Sequence, residues 1–333
     1  MTTISETLRG LSLGHPTTFL NLTLFPLQGS TGYARDYVTL REAVHDQTAT
    51  VREISEGGSV PELLLENSGK KPVLILDGEE LIGAKQNRTA NVTILAPAGK
   101  TVHIPVTCVE AGRWAYRSRD FAPSDQMHFS AGRRRKMASV YQSMSMTGRK
   151  AANQSEVWGD ISQKAARMGS HSPTSAMADV FESNRHRVDD YVGAFTTESG
   201  QVGAVFAIGE NIEGLELFDC NETLADMLPK LIRSYAIDAI ETVESHRRNP
   251  SAISADAFIS RLVNAKVETY PAVGEGTEVR LTAPGVIAGG LVTDERVVHL
   301  AAFASPAESG RQDTENNSRG LASLWSRRRR MGR

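Results

Sequence analysis

The stretch that decides the fold is residues 72–114, PVLILDGEELIGAKQNRTANVTILAPAGKTVHIPVTCVEAGRW. Three apolar runs, at residues 73–76, 92–95 and 102–109, are separated by turn residues. Short apolar runs bounded by glycine, proline and asparagine are typical of strands rather than helices. Because a polar loop fixed between strands is held rigidly, this stretch predicts both a β-rich core and the place of a functional site.

The rest of the chain adds further short strands and several helices. Apolar residues at helical spacing predict helices at 153–168 and 224–244, whereas residues 136–146 show no apolar stripe and are given no helix. Alternating patterns near both ends predict more strands, with a hairpin at residues 285–303. We therefore expect an α+β fold with a β-rich core, a helical insertion and packed helices. The core would be a sandwich or barrel-like, with a cupin-like barrel as one form.

A cupin metal site is disfavoured by the residues at the positions that matter. Metal-binding cupins place histidines at set spacings after a glycine. Counting from Gly78, those positions hold Ala84 and Gln86, and the later carboxylate position holds Asn91. A cupin-like sheet that lacks this metal site is still compatible with the sequence.

The domain organisation follows from changes in composition along the chain. Residues 1–16 form a polar lead-in, and residues 17–304 are expected to form a single compact α+β domain with a helical insertion at about 120–195. Residues 305–333 are polar, lack periodicity and end in a run of arginines, which predicts a disordered basic tail.

Composition and charge narrow the class of protein. A hydrophobic content of 40% and a charged content of 23% are ordinary for a globular protein with a sizeable core. The net charge of −2 argues against nucleic-acid binding by bulk electrostatics. No apolar segment reaches the length of a signal peptide core or a membrane span, so we expect a cytoplasmic protein without a membrane span.

The loop between the first two apolar runs concentrates side chains that can carry chemistry. They are Asp77, Glu79, Glu80, Lys85, Gln86, Asn87 and Arg88, with Glu110 and Arg113 after the third run. Carboxylates are the ligands that hard cations such as Mg²⁺ take. Long cationic and amide donors beside them suit a ligand with phosphates or hydroxyls. A solvated acidic turn is the alternative interpretation of the same residues.

Three segments, in the same order, resemble an uncharacterised bacterial domain family named for its association with ADP-ribosylglycohydrolases and rhodanese-like phosphatases. They are DGEELIGAKQNR at 77–88, PVTCVEAGRW at 105–114 and QSEVW at 154–158. The resemblance covers about residues 19–303 and implies a role around ADP-ribose or related NAD-derived nucleotides, as an enzyme or as a binding module. By the matching motifs, the implied site candidates are Asp77, Glu79, Lys85, Gln86, Asn87, Arg88, Glu110, Arg113 and Trp158.

Two hypotheses from different classes follow. The first is binding or processing of a nucleotide-type ligand by a hydrolase of NAD metabolism, with a divalent cation such as Mg²⁺ as a cofactor that would suit it. Glu79 or Glu110 would then be the catalytic base or metal ligand. Lys85, Arg88 and Arg113 would hold phosphate, and the remaining ligand contacts would come from Asp77, Gln86, Asn87 and Trp158. The alternative is a non-catalytic protein-interaction module that docks a protein or acidic partner through the basic tail.

Overall fold

The computed structural model describes residues 2–29, 33–55, 61–243, 250–293 and 296–305. The strands are β1 Ser12–Leu13, β2 Thr17–Phe19, β3 Leu22–Gln28, β4 Val38–Thr39, β5 Ala49–Glu53, β6 Glu62–Asn67, β7 Val73–Ile75, β8 Glu79–Gly83, β9 Arg88–Ala90, β10 Ile94–Ala96, β11 Thr101–Cys108, β12 Phe121–Met127, β13 Gln201–Ile208, β14 Asn211–Phe218, β15 Lys266–Pro271, β16 Thr277–Ala283, β17 Val286–Val292 and β18 Val297–Ala304. The helices are α1 Thr2–Arg9, α2 Leu40–His45, α3 Ser130–Thr147, α4 Gln154–Arg167, α5 Met177–Ser183, α6 Arg185–Gly193, α7 Asn221–Thr242 and α8 Ala252–Val263.

Six strands close into an antiparallel barrel in the order β11–β6–β5–β12–β8–β9. Side chains point alternately inward and outward along each strand, so in β5 Val51 and Glu53 are buried while Arg52 between them is exposed. Aliphatic side chains of facing strands fill the interior, among them Val51, Leu65, Leu81, Ile104 and Val106. A closed barrel has no edge strand, so its mouths are the places where a ligand can approach.

A larger antiparallel sheet runs in the order β1–β3–β13–β14–β18–β17–β16–β15, with β2 also paired to β3. One face is covered by α1 and α8, through Ile4, Leu8, Phe258 and Leu262. The other face is covered by helices of the middle of the chain, chiefly α7. Because both faces are covered, β13 is buried at every position. A strand that is buried on both faces needs apolar side chains at nearly every position, which explains the nearly continuous apolar run of β13.

Helix α3 lies between the barrel and the large sheet and buries two charged side chains beside apolar ones, Met137, Val140 and Met144. Arg133 is fully buried and donates to Oε1 of Glu216 in β14 at 2.6 Å. Lys136 is also buried and donates to Oδ1 of Asp77, just before β8, at 2.6 Å. A buried charge is tolerated where an opposite charge is paired with it, so this helix joins the two β units through ion pairs.

The predicted fold class is confirmed: the chain is α+β, with a β-rich core built from a barrel and an antiparallel sheet, and with helices packed on both. Of the central stretch, β8, β9 and β11 enter the barrel, whereas β7 and β10 pair in a separate small sheet with β4. Among the described residues, none of the helices combines the length and the apolar character needed to cross a membrane. The predicted tail lies, from residue 306 onward, outside the described residues.

Candidate functional site

The turn that runs from Gly83 at the end of β8 to Arg88 at the start of β9 is held in place by Arg113. Its guanidinium donates to the carbonyl oxygens of Gly83 at 3.3 Å and Ala84 at 2.6 Å. It also donates to Oδ1 of Asn87 at 3.1 Å. A planar guanidinium with five N–H donors is suited to such a set of acceptors. Arg113 therefore ties the loop to the segment that follows β11.

Glu110 holds Arg113 from behind. Its two carboxylate oxygens accept from Nε of Arg113 at 2.9 Å and from a terminal nitrogen at 2.7 Å. The Thr174 hydroxyl at 2.8 Å and the Asn87 backbone N–H at 3.1 Å donate to the same carboxylate. Burial opposes ionisation of Glu110, but the hydrogen bonds from Arg113 and Thr174 outweigh burial and lower its pKa. The pair is therefore ionised at neutral pH.

The segment after Arg113 is pressed against the same loop at Gly83. A Cβ on Gly83 would lie 2.6 Å from the carbonyl oxygen of Asp120 and 2.6 Å from Oγ of Ser118, and Gly83 has a φ of +133°. Next to it, Ala84 has a φ of +36°. Its carbonyl accepts from the Arg117 N–H at 2.9 Å and its N–H donates to Ser118 at 3.0 Å. Only glycine allows this close approach, so residue 83 fixes the spacing of the two segments.

One mouth of the barrel carries a polar layer, whereas most of the interior is apolar. Arg88 is fully buried and donates to Oε1 of Gln86 at 2.9 Å and to Sγ of Cys108 at 2.8 Å. Another of its terminal nitrogens lies 3.8 Å from Oε1 of Glu53. Among the described residues, neither oxygen of Glu53 has a hydrogen-bond partner, and neither do two of the three Arg88 nitrogens. Each unpaired buried polar group costs about 1–3 kcal/mol, which makes this layer a candidate for function.

The Cys108 thiol in this layer is not activated. Burial raises its pKa to about 11, although the Arg88 charge opposes the rise. At neutral pH the thiol is therefore protonated, and it is a poor nucleophile in this form.

A cavity of about 890 Å³ opens over this mouth. Small-molecule sites usually measure about 300–1,000 Å³. Its lining includes Arg52, Glu53, Tyr116, Arg117, Ser118 and Arg119. Arg52 pairs with Glu66 at 3.3 Å, whereas no ion pair joins Arg117 or Arg119 to another residue that the structure describes. The lining therefore carries three arginines against two carboxylates, Glu53 and Asp120.

Two exposed aromatic side chains stand beside the cavity. Trp114 is 50% exposed and Tyr116 is 54% exposed. The ammonium of Lys85 lies 5.2 Å from the Trp114 ring centroid and 5.1 Å from that of Tyr116. Both distances are within the range of a cation–π interaction. The ammonium of Lys85, which the sequence suggested as a phosphate-binding group, therefore contacts both aromatic rings.

Glu80 lies in β8, close to the turn that Arg113 holds, and is fully buried. Ser124 donates to one of its oxygens at 2.9 Å, and the other has no partner among the described residues. Burial raises the pKa of Glu80 to about 7; the Ser124 hydrogen bond opposes this rise and the Glu110 charge adds to it. Glu80 is therefore a carboxyl group that changes charge near neutral pH.

The other sequence candidates lie away from the cavity. Asp77 pairs with Lys136 at 2.6 Å, and Glu79 pairs with Lys230 of α7 at 2.5 Å. Trp158 lies on α4, and its indole N–H is buried without a hydrogen-bond partner among the described residues. None of the nine site candidates from the sequence, these three included, is among the residues that line the cavity. Their predicted roles in binding and catalysis stay predictions.

The carboxylates that suggested a divalent cation do not form a common donor set. In the part of the chain that the structure describes, no group of three or more His, Cys, Asp or Glu side chains is arranged to hold a metal ion. Asp77, Glu79 and Glu110 each pair with a different basic side chain. The oxygen ligands that Mg²⁺ requires are therefore not brought together there.

Glu53, Arg117 and Arg119 were not among the site candidates predicted from the sequence. A signal for the arginines was present in residues 113–119, RWAYRSR, where basic and aromatic residues are interleaved. Glu53 has no local signal. Barrel closure brings the end of β5 to the segment before β12, from which the arginines come.

The comparisons with known proteins give one match. A family model described as ARPP-1, the ARG and Rhodanese-Phosphatase-superfamily-associated Protein domain, matches residues 10–303. No curated protein and no solved structure matches the chain.

Proposed function

The chain belongs to the ARG and Rhodanese-Phosphatase-superfamily-associated Protein domain family, and from this premise we propose that it binds an ADP-ribose-type nucleotide at the mouth of its barrel. The family name records an association with ARG, which we interpret as ADP-ribosylglycohydrolase. A family name that records an association with other proteins does not identify a ligand of this chain. The chemistry of the cavity therefore has to support the proposal.

The observation that carries the proposal is the cationic, aromatic cavity over the polar layer. Arg117 and Arg119 form no ion pair with other described residues, so their guanidinium groups can bind phosphate oxygens in pairs. Tyr116 in the same lining offers a ring on which adenine can stack. The volume of about 890 Å³ accommodates a nucleotide with a second sugar.

Two carboxylates, Glu53 and Asp120, border this cavity, and the buried Glu53 would accept a hydrogen bond from a ribose hydroxyl. Neither of its oxygens is hydrogen-bonded to another described residue. If the ligand is hydrolysed, we propose that Glu53 acts as the base. The clamp formed by Glu110 and Arg113 then has a positioning role, because it fixes the loop that carries Lys85.

Isothermal titration calorimetry of the full chain with ADP-ribose tests the proposal. Replacing both Arg117 and Arg119 by alanine removes two charge-assisted phosphate contacts. We expect affinity to fall roughly 10- to 100-fold or more. The matched control is Arg149→Ala, which removes an exposed arginine at the end of α3 and should leave the affinity unchanged.

An absence of heat with ADP-ribose, NAD⁺ and AMP would refute nucleotide binding, and an unchanged affinity in the double variant would refute the site. Processing is a separate measurement, in which ADP-ribose and NAD⁺ are incubated with the protein, with and without Mg²⁺, and the products are separated by chromatography. Any product should disappear with Glu53→Gln. The alternative function, docking through the basic tail, concerns residues outside those that the structure describes.

A further inference from the structure

The surface beside the cavity displays aromatic and basic side chains together. We define this aromatic–basic surface as Lys85, Trp114, Tyr116, Arg117 and Arg119. Burying a large apolar side chain stabilises a protein, so two aromatic rings left half exposed on one segment call for an explanation. Exposed apolar side chains that cluster are typical of binding surfaces.

The surface is wider than the cavity. Tyr116 lines the cavity, but Trp114 does not. Lys85 contacts both rings and so joins the part of the surface inside the cavity to the part outside it. A single nucleotide in the cavity would leave the Trp114 ring uncovered, because that ring lies outside the lining. A longer ligand with a second ring and further phosphates would cover it.

The surface is also rigidly supported. Arg113 donates to the carbonyl oxygens of Ala84 at 2.6 Å and Ala115 at 2.9 Å. The backbone N–H of Arg117 donates to the same Ala84 carbonyl at 2.9 Å. A surface that is ordered before the ligand arrives loses less conformational entropy on binding.

We propose that the aromatic–basic surface binds single-stranded nucleic acid. Unpaired bases stack on exposed Trp and Tyr rings, and phosphates between them are held by Lys and Arg. A duplex hides the faces of its bases, so it can use the arginines but not the rings. The chain has a net charge of −2, so attraction depends on this local cluster rather than on overall charge.

The test measures fluorescence anisotropy of a labelled 20-nucleotide oligo(dT), its RNA counterpart and a duplex of equal length. The full chain carries Arg327 to Arg330, which could attract any polyanion, so all variants are made in a background with these four residues replaced by alanine. We expect single strands to bind more tightly than the duplex. Trp114→Ala should weaken single-strand binding roughly tenfold, because stacking supplies much of the affinity. Trp114→Phe should restore most of it.

Met146→Ala is the matched control, since Met146 is a 74% exposed apolar residue on α3. Equal affinity for single strand and duplex, or an unchanged affinity in Trp114→Ala, would overturn the inference and leave non-specific polyanion binding. An absence of binding at low salt would also overturn the inference. Displacement of the oligonucleotide by an acidic peptide of equal charge would overturn it as well. No arm uses ADP-ribose, so the two proposals fail separately: a calorimetric signal with ADP-ribose but no oligonucleotide binding removes only this one.

Discussion

Arg113→Ala should remove the clamp that holds the wall of the cavity. The Arg113 side chain is 10% exposed and its partner Glu110 is 1% exposed. Removing one partner of a buried ion pair typically costs about 3–5 kcal/mol, because the other charge stays buried. Glu110 keeps its hydrogen bonds from Thr174 and from the Asn87 backbone. We therefore expect a loss near the lower end, about 3 kcal/mol of unfolding free energy.

Urea denaturation of the full chain, followed by circular dichroism, measures this loss. Arg113→Lys separates charge from geometry: lysine keeps the positive charge but cannot form two parallel bonds to Glu110, so its loss should be intermediate. A double-mutant cycle with Glu110→Gln should give a coupling energy of at least about 1 kcal/mol, because the two residues contact each other directly.

The loss should also depend on pH in a defined direction. Because the pKa of Glu110 is lowered from its ordinary value of 4.5, its pairing with Arg113 stabilises the fold fully above pH 4.5. That stability is lost as pH falls through the lowered pKa. The gap between wild type and Arg113→Ala should therefore be largest at neutral pH and narrow in acid. A loss below about 1 kcal/mol, or one that is the same in acid and at pH 7, would refute the reasoning.

Three further predictions concern stability measured by the same denaturation assay. Between its ordinary pKa of 4.5 and its folded pKa of about 7, Glu80 is protonated only in the folded state, so stability falls as pH rises through this window. Glu80→Gln should therefore stabilise the protein by up to about 3 kcal/mol at pH 8, and by little near pH 4.5; a gain that does not depend on pH would contradict this. Gly83→Ala should cost about 2–4 kcal/mol through a clash and a strained backbone, whereas Gly159→Ala, in open space on α4, should be neutral or slightly stabilising; equal effects would speak against the close approach at residue 83. Lys136→Met should cost about 3–5 kcal/mol by leaving Asp77 charged in the interior, and adding Asp77→Asn should recover most of it; no recovery would show that the ion pair is not the cause.

Helices that bury an apolar stripe could be predicted from sequence. The helix expected at 153–168 is α4, which begins after Asn153, whose side chain accepts from the N–H groups of Ser155 and Glu156. Helix α3 was not predicted, because its buried face mixes the apolar Met137, Val140 and Met144 with the charged Arg133 and Lys136. Hydrophobic periodicity does not detect a charged residue that becomes buried through its ion partner, since the partner lies far away in the chain.

The candidate site, too, could be predicted from the sequence only in part. The sequence indicated the polar loop at residues 77–88 and the residues after β11 as places for function. It did not indicate which of those side chains would be used in ion pairs. Glu110 is paired with Arg113 three residues away, which is a local pairing, but Glu79 is paired with Lys230 on α7. The second partner is known only once the helix is packed against the barrel.

The sequence by itself determined most of the strands, several helices and the α+β class, because alternation and helical spacing are properties of neighbouring residues. It did not indicate β12, which lies within the expected helical insertion at about 120–195. Tertiary structure decided how the strands close and which charges meet. The cavity exists because barrel closure sets Glu53 at the end of β5 beside Arg117 and Arg119 before β12. Contacts between residues this far apart depend on strand pairing and burial, which act through space and leave no periodic trace along the chain.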